Sequence, residues 1–207
     1  MTPSVITRNY SGLKDNKVYN IKQLSIVFLL IVFACGPTTQ KMSEMDYNEY
    51  TVKRDEALAN KSISEEKRSE IVEVQNSFGV EALIVGDLDK AESMFNKTLE
   101  INQQDKYAKY GLAMIAGHRL YKKGSKTALW DALEHYGKAT YYNPDNGEPH
   151  YWMGRSYEKK DDGDYELIIE TYENALKGTL PDEIRQDSEE RLASAKKKQK
   201  TFEDFWQ

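Results

Sequence analysis

The 207-residue chain is long enough for one domain with targeting segments, and an apolar fraction of 39% beside a charged fraction of 30% suits an open helical array. Its five prolines and twelve glycines are too few for an all-β fold with many tight turns, and its single cysteine excludes an internal disulfide. A net charge of −5, without a long basic face, argues against nucleic acid as a partner.

The first 34 residues have the pattern of a secretory signal peptide. A polar lead with four basic residues is followed by an apolar run over residues 24–34. That run has about half of the ~20 apolar residues that a membrane-spanning helix needs. A basic lead before a short apolar run predicts a signal peptide over residues 1–34.

The only cysteine stands at the end of this run, in the sequence Val32-Phe33-Ala34-Cys35. The segment resembles the lipobox of bacterial lipoproteins. The resemblance implies cleavage before Cys35, acylation of that cysteine and anchoring in the lipid bilayer. The alternative is a buried apolar helix with an ordinary packed cysteine. Because Gly36 and not an aspartate follows the cysteine, the enterobacterial sorting rule implies the outer membrane.

Residues 35–63 are predicted to contain the lipidated cysteine, a tether and a first helix. Glycine, proline and polar residues favour a flexible tether over residues 36–44. A helix is predicted over residues 46–60. Ser62 and Glu65 then predict a capping box where the next helix begins.

Residues 64–178 show three helix pairs with similar internal spacing. In each predicted helix apolar residues recur at three- and four-residue steps. The first helix of each pair carries a glycine: Gly79, Gly111 and Gly154. The second carries an aromatic residue and, three positions later, a small one: Phe95 and Thr98, Tyr136 and Ala139, Tyr172 and Ala175. Turns are predicted at Gly86-Asp87, Gly124-Ser125 and Gly163-Asp164.

These pairs resemble tetratricopeptide repeats, whose period is about 34 residues. The resemblance implies an all-α fold, an α-α superhelix of about three helix pairs with the aromatic residues wedged between helices. Gly79 and Gly111 are 32 residues apart, but the matching Ala91 and Ala132 are 41 apart. The second repeat is therefore predicted to hold about seven extra residues near residues 122–127.

Residues 179–207 are predicted to form a C-terminal capping helix. Gly178 suits the end of the preceding helix, and Pro181 with two following acids suits a helix start. A thin apolar stripe follows: Ile184, Ser188, Leu192 and Ala195. The lysine run over residues 196–200 is interpreted as a solvated face. The aromatic residues at the end are expected to fold back on the last helices: Phe202, Phe205 and Trp206.

No pattern in the sequence supports catalysis, a cofactor or a metal site. The three histidines are far apart, and no His-Glu-x-x-His, phosphate loop or Gly-x-Ser-x-Gly occurs. Asp161-Asp162-Gly163-Asp164 lacks the remaining ligands of a calcium loop and is interpreted as a turn. The chain is therefore predicted to be non-enzymatic.

In tetratricopeptide proteins the first helices line a concave groove that binds an extended peptide or a helix. Alignment on the glycines implies seven groove residues here: Asn76, Val80, Leu83, Leu112, Ile115, Tyr151 and Arg155. Lys159 lies one position off that register and is expected to reach the rim of the groove, as the eighth groove residue. Apolar residues stand where a carboxylate clamp needs polar ones, so binding of a C-terminal tail is not expected. Apolar residues beside the positive charges of Arg155 and Lys159 favour an amphipathic or acidic segment.

Three functions remain open at this point. The leading hypothesis is a membrane-anchored adaptor or assembly factor that holds another protein of the bacterial cell envelope. The second is an accessory subunit of an envelope hydrolase, which predicts a changed activity in a co-purifying enzyme. The third is a glycan-binding module that uses exposed tyrosine and tryptophan, which predicts binding to peptidoglycan that added peptide does not affect.

Overall fold

The computed structural model describes residues 41–160 and 163–205, and over these ranges the protein is all-helical, as predicted. A short 3₁₀ helix (Met42–Glu44) precedes eight α-helices: α1 (Tyr47–Ala59), α2 (Glu65–Ile84), α3 (Leu88–Ile101), α4 (Lys106–Lys123), α5 (Lys126–Tyr142), α6 (Glu148–Lys160), α7 (Tyr165–Lys177) and α8 (Asp182–Phe205). The predicted signal peptide, Cys35 and most of the predicted tether lie outside the described residues, as do Asp161, Asp162 and Trp206.

The contacts divide the chain into two units, whose boundary lies inside α2, between Val74 and Gln75. In the first unit, the Asp46 side chain caps α1 by accepting hydrogen bonds from the first-turn N–H groups. Tyr50 is fully buried and donates to the carbonyl oxygen of Ile71 at 2.9 Å. This bond ties α1 to the first half of α2.

The start of α2 differs from the predicted capping box. The N–H of Lys67 donates to Oγ of Ser64 at 3.2 Å, and the helix begins at Glu65. Ser64 is therefore the capping residue. The prediction that Ser62 and Glu65 form a capping box is wrong, because the helix begins two residues too late for Ser62 to reach its first N–H groups.

In the second unit, consecutive helices from α3 to α8 pack each against the next. Three aromatic side chains at the centre of this packing have no exposed surface: Phe95, Tyr136 and Tyr172. Glycines make room for them, since an added Cβ would lie 2.7 Å from the Phe95 ring at Gly79 and 2.8 Å from the Tyr172 ring at Gly154. The prediction that these aromatic residues are wedges between helices is confirmed.

Gly111 does not make room for Tyr136, the aromatic residue of its own helix pair. A Cβ there would overlap the Phe95 ring on the preceding helix, and Gly117 instead faces Tyr136. The reason is helix length, because α4 has 18 residues and α5 has 17, against 13 each in α6 and α7. The extra residues predicted near 122–127 therefore lengthen two helices, and Gly124 in a left-handed conformation (φ 70°) makes the short turn between them.

A backbone clamp joins the loop before α6 to the loop before α8. The N–H of Gly147 donates to the carbonyl of Thr179 at 3.0 Å, and the N–H of Thr179 donates to the carbonyl of Asp145 at 2.7 Å. Gly178 ends α7 as predicted but has extended backbone (φ −88°, ψ 176°). Glycine is needed there for space, because a Cβ would lie 2.5 Å from the nitrogen of Gly147.

The helix α8 packs against α7 through the predicted stripe, in which Ile184, Ser188 and Ala195 are buried. Its 24 residues exceed the 13 of α7, and its last turns lie beside Tyr165, the first residue of α7. The ring of Phe202 lies 6.2 Å from that of Tyr165 on α7, in line with the predicted fold-back, although Phe202 and Phe205 remain 55% and 78% exposed. None of the helices in residues 41–160 and 163–205 is both long and apolar enough to cross a membrane.

Candidate functional site: the predicted groove and an aromatic surface

Three of the eight predicted groove residues are buried inside the helix packing. Asn76 donates to the Asp105 carboxylate at 3.0 Å, and Ile115 lies in the hydrophobic core. The hydroxyl of Tyr151 donates to Asp187 on α8 at 2.7 Å, and burial raises the pKa of this phenol to about 12. These side chains hold helices together and present no surface to a partner.

Three other groove residues form what we call the apolar strip: Val80, Leu83 and Leu112. All three are half-buried and pack against one core cluster that contains Phe95 and Ile115. Their remaining surface is aliphatic and lies on α2 and α4. The apolar strip is therefore the part of the predicted groove whose aliphatic side chains pack on the core and are still partly exposed.

Arg155 belongs to an ion network that connects α6 to α8. It donates to the Tyr151 hydroxyl at 2.6 Å, and its guanidinium lies 3.7 Å from Asp187. Arg191 bonds both Asp187 and Glu158 at 2.6 Å. Burial opposes the charge on Asp187, but the hydrogen bonds from Arg191 and Tyr151 prevail and lower its pKa. Two cations and two acids balance, so the predicted positive charge near Arg155 is neutralised.

Lys159 is exposed but also engaged. Its ammonium donates to the carbonyl oxygen of Tyr121 at 2.8 Å and lies 4.4 Å from the centre of that residue's ring. With Arg155 held by the ion network, neither cation of the predicted groove is free for an acidic partner. The two positive charges that favoured an acidic partner therefore form contacts within the protein.

A rigid aromatic surface lies on α5, outside the predicted groove. Trp130 is 48% exposed, and one face of its ring rests on the Lys160 ammonium, 3.7 Å from the ring centre. The side chain of Lys160 is itself 1% exposed and donates to Asp164 at 2.6 Å. Tyr157 packs edge-on against Trp130 at 6.2 Å. The tryptophan is therefore held flat, with its other face toward solvent.

Tyr141 extends this surface along the same side of α5. It follows Trp130 by eleven residues, which returns to the same face after roughly 16 Å of helix. Tyr141 is 76% exposed, and between the two rings Gly137 has no neighbouring atom within 4 Å of a built Cβ. We call Trp130, Gly137 and Tyr141 the α5 aromatic face.

His118 is a buried base inside the helix packing. Its Nδ1 lies 3.0 Å from the Tyr136 hydroxyl, and its ring packs edge-on against Trp152 at 4.7 Å. Burial lowers its pKa to about 4. His118 therefore joins α4 to Tyr136 of α5 and Trp152 of α6 within the core.

Within the described ranges no cluster of three or more His, Cys, Asp or Glu residues could hold a metal ion. Asp164 belongs to the segment that was considered as a calcium loop. Its carboxylate accepts a hydrogen bond from Lys160 instead.

Sequence reasoning missed both the ion network and the α5 aromatic face. The four-residue spacings of Lys160 with Asp164 and of Asp187 with Arg191 were signals for local ion pairs. The shared helix face of Trp130 and Tyr141 could also have been predicted, because their spacing of eleven residues is close to three turns of an α-helix with 3.6 residues per turn.

No protein-family model matches the chain, and no curated protein matches it at a significant level.

Proposed function

We propose that the protein is a non-enzymatic adaptor or assembly factor of the bacterial cell envelope, anchored by an acylated Cys35 and built as a superhelix of tetratricopeptide-like helix pairs. Support for the repeat comes from the buried aromatic wedges and from the glycines that receive them. Support for the anchor comes from the single cysteine at the end of an apolar run. The implied location is the outer membrane.

The apolar strip carries the proposal. A half-exposed aliphatic surface on two neighbouring helices can accept the apolar side of a peptide or helix from another envelope protein, and the rigid helices beneath it keep it preformed. The balanced ion network offers no charge for recognition, so we expect apolar side chains to dominate the contact.

Affinity capture of the tagged full-length protein in mild detergent tests this proposal. One envelope protein should co-purify in stoichiometric amount, and Leu112→Glu should reduce its recovery about tenfold or more, because a carboxylate would lose its hydration in the contact. The control is Val85→Glu, which changes an exposed apolar residue outside the strip. Equal recovery with Leu112→Glu, at unchanged helix content, would show that the strip is not the site.

The anchor has its own test. Cys35→Ser should abolish labelling of the protein by a fatty-acid probe and release it from the membrane fraction, since acyl chains supply stable anchoring. Labelling that persists in the variant would refute acylation at this residue.

The α5 aromatic face favours a second candidate function, glycan binding. Flat aromatic faces stack on the C–H surfaces of sugar rings, and a tryptophan fixed by neighbouring groups loses little conformational entropy on binding. Sedimentation with peptidoglycan should then carry the wild type down. Trp130→Ala should stay in solution and Leu112→Glu should sediment as before. Sedimentation of Trp130→Ala at the wild-type level would exclude this face.

A further inference from the structure

The last turns of α8 carry positive charge that the fold does not neutralise. Lys197, Lys198 and Lys200 are exposed and, in the part of the chain that the structure describes, have no acid within ion-pair distance. Lys196, by contrast, pairs with Glu173 at 2.7 Å. These free lysines belong to a chain with a net charge of −5, so their local charge is opposite to that of the whole protein.

Exposed aromatic rings lie on the same side of the helix as two of these lysines. Phe202 and Phe205 flank an open groove with Tyr165 of α7, whose ring centre lies 6.2 Å from that of Phe202. The other lining residues come from α8: Ser194, Lys197, Lys198 and Thr201. At about 100° per residue these positions fall within an arc of roughly 140°, with Asp204 at its edge and Glu203 on the opposite side.

Lysines beside exposed phenylalanines are the composition of a segment that lies at a membrane interface. The ammonium groups bind lipid phosphates, while the rings enter the boundary between headgroups and acyl chains. An acidic peptide would satisfy the charges equally, but the groove is open and has no enclosed pocket for its side chains. We propose that residues 194–205 form a second membrane contact, which binds the surface of an anionic phospholipid bilayer.

This contact rests on the proposed lipid anchor in one respect. An anchored chain stays near the bilayer, so its effective concentration there is high and a weak contact is populated. The contact would orient the helical array relative to the membrane, which an acyl chain on a flexible tether does not do.

Hydrogen–deuterium exchange of the full-length protein in lipid vesicles tests the proposal. The protein is reconstituted in neutral phosphatidylcholine, and in the same lipid with added phosphatidylglycerol. With anionic lipid, we expect the amides of residues 194–205 to exchange about tenfold more slowly, an effect that high salt removes. The triple variant Lys197→Gln, Lys198→Gln, Lys200→Gln should lose the protection, as should Phe202→Ser with Phe205→Ser.

The matched control replaces three exposed lysines on other helices, Lys90, Lys106 and Lys122, with glutamine. It changes the net charge equally and should keep the protection. Equal exchange in both lipids, or protection that survives the α8 lysine variant, would overturn the proposal. Protection that grows with protein density in neutral lipid would instead assign the face to a second copy of the chain.

Acylation of Cys35 is measured separately, by labelling with a fatty-acid probe. Loss of that label with intact protection on α8 would overturn the anchor alone. An intact label without protection would overturn the α8 contact alone.

Discussion

Acid should destabilise the protein through a single buried histidine. His118 is enclosed by Tyr136 and Trp152, and no acid is among the causes that set its pKa. A proton on this ring would place a charge in an aromatic environment without compensation. The substitution His118→Gln keeps a hydrogen-bonding group near the tyrosine but removes the titratable proton.

The size of the effect follows from the two pKa values. The imidazole pKa is 6.5 in the unfolded chain and about 4 in the folded protein, where burial lowers it. Below pH 6.5 the unfolded chain takes up a proton that the folded chain refuses, so the free energy of unfolding falls with pH and levels off below about pH 4. At about 1.4 kcal/mol per pKa unit, the loss reaches about 2 kcal/mol at pH 5 and about 3 kcal/mol in full.

Urea unfolding of residues 36–207, followed by far-UV circular dichroism between about pH 8 and pH 4, measures this loss. Other groups also titrate in this range, including His150, whose pKa burial lowers. Their contributions cancel in the difference between the wild type and His118→Gln. That difference should shrink by about 2 kcal/mol between pH 8 and pH 5. His135→Gln, on the neighbouring helix, is the matched control and should follow the wild type.

Parallel pH curves for the wild type and His118→Gln would refute this reasoning. So would a nuclear magnetic resonance titration in which the His118 ring protonates near pH 6.5, because the ring would then be accessible to water in the folded protein.

Further substitutions test the helix packing, each by its urea midpoint. Gly117→Ala should lower the free energy of unfolding by about 2 kcal/mol, because its methyl group overlaps a buried tyrosine ring, whereas Gly137→Ala, where no atom lies within 4 Å, should raise it by about 0.5–1 kcal/mol; equal midpoints would contradict both. Gly147→Ala should cost about 3 kcal/mol, since its methyl group meets a backbone carbonyl that cannot turn aside, and a smaller loss than at Gly117 would show a loose clamp. Asp187→Asn should cost about 2 kcal/mol at neutral pH by weakening its bond to Arg191. Because the carboxyl pKa is lowered in the fold, that cost should disappear as acid protonates Asp187, and a cost that persists in acid would exclude the ion pair as its source.

The sequence was sufficient for the helices because their limits depend on local chemistry. Asp46 caps α1 through its own side chain, and Gly124 ends α4 in a conformation that glycine adopts readily. The aromatic wedges were also predictable, since a large ring at a fixed spacing on an amphipathic helix belongs in the core.

The partners of those residues were not predictable, because they depend on how far one helix extends past another. Lengthening of α4 turns Gly111 toward the preceding helix and gives its expected role to Gly117. Likewise Arg155 looked like a free groove cation until Asp187 helped to neutralise it, and this acid comes from another helix, α8. The superhelix, the groove and the acylated Cys35 stay predictions.

The backbone clamp determines how the chain bears tension. Its two hydrogen bonds join residues 145–147 to Thr179, so α6 and α7 lie inside a closed loop. A force that pulls the chain on both sides of this loop passes through the clamp and leaves these two helices unloaded. In a row of helices that contact mainly their neighbours, α8 can peel away first by itself. Once the clamp breaks, α6 and α7 come under load together, and the chain can then lengthen in one step by up to roughly 100 Å.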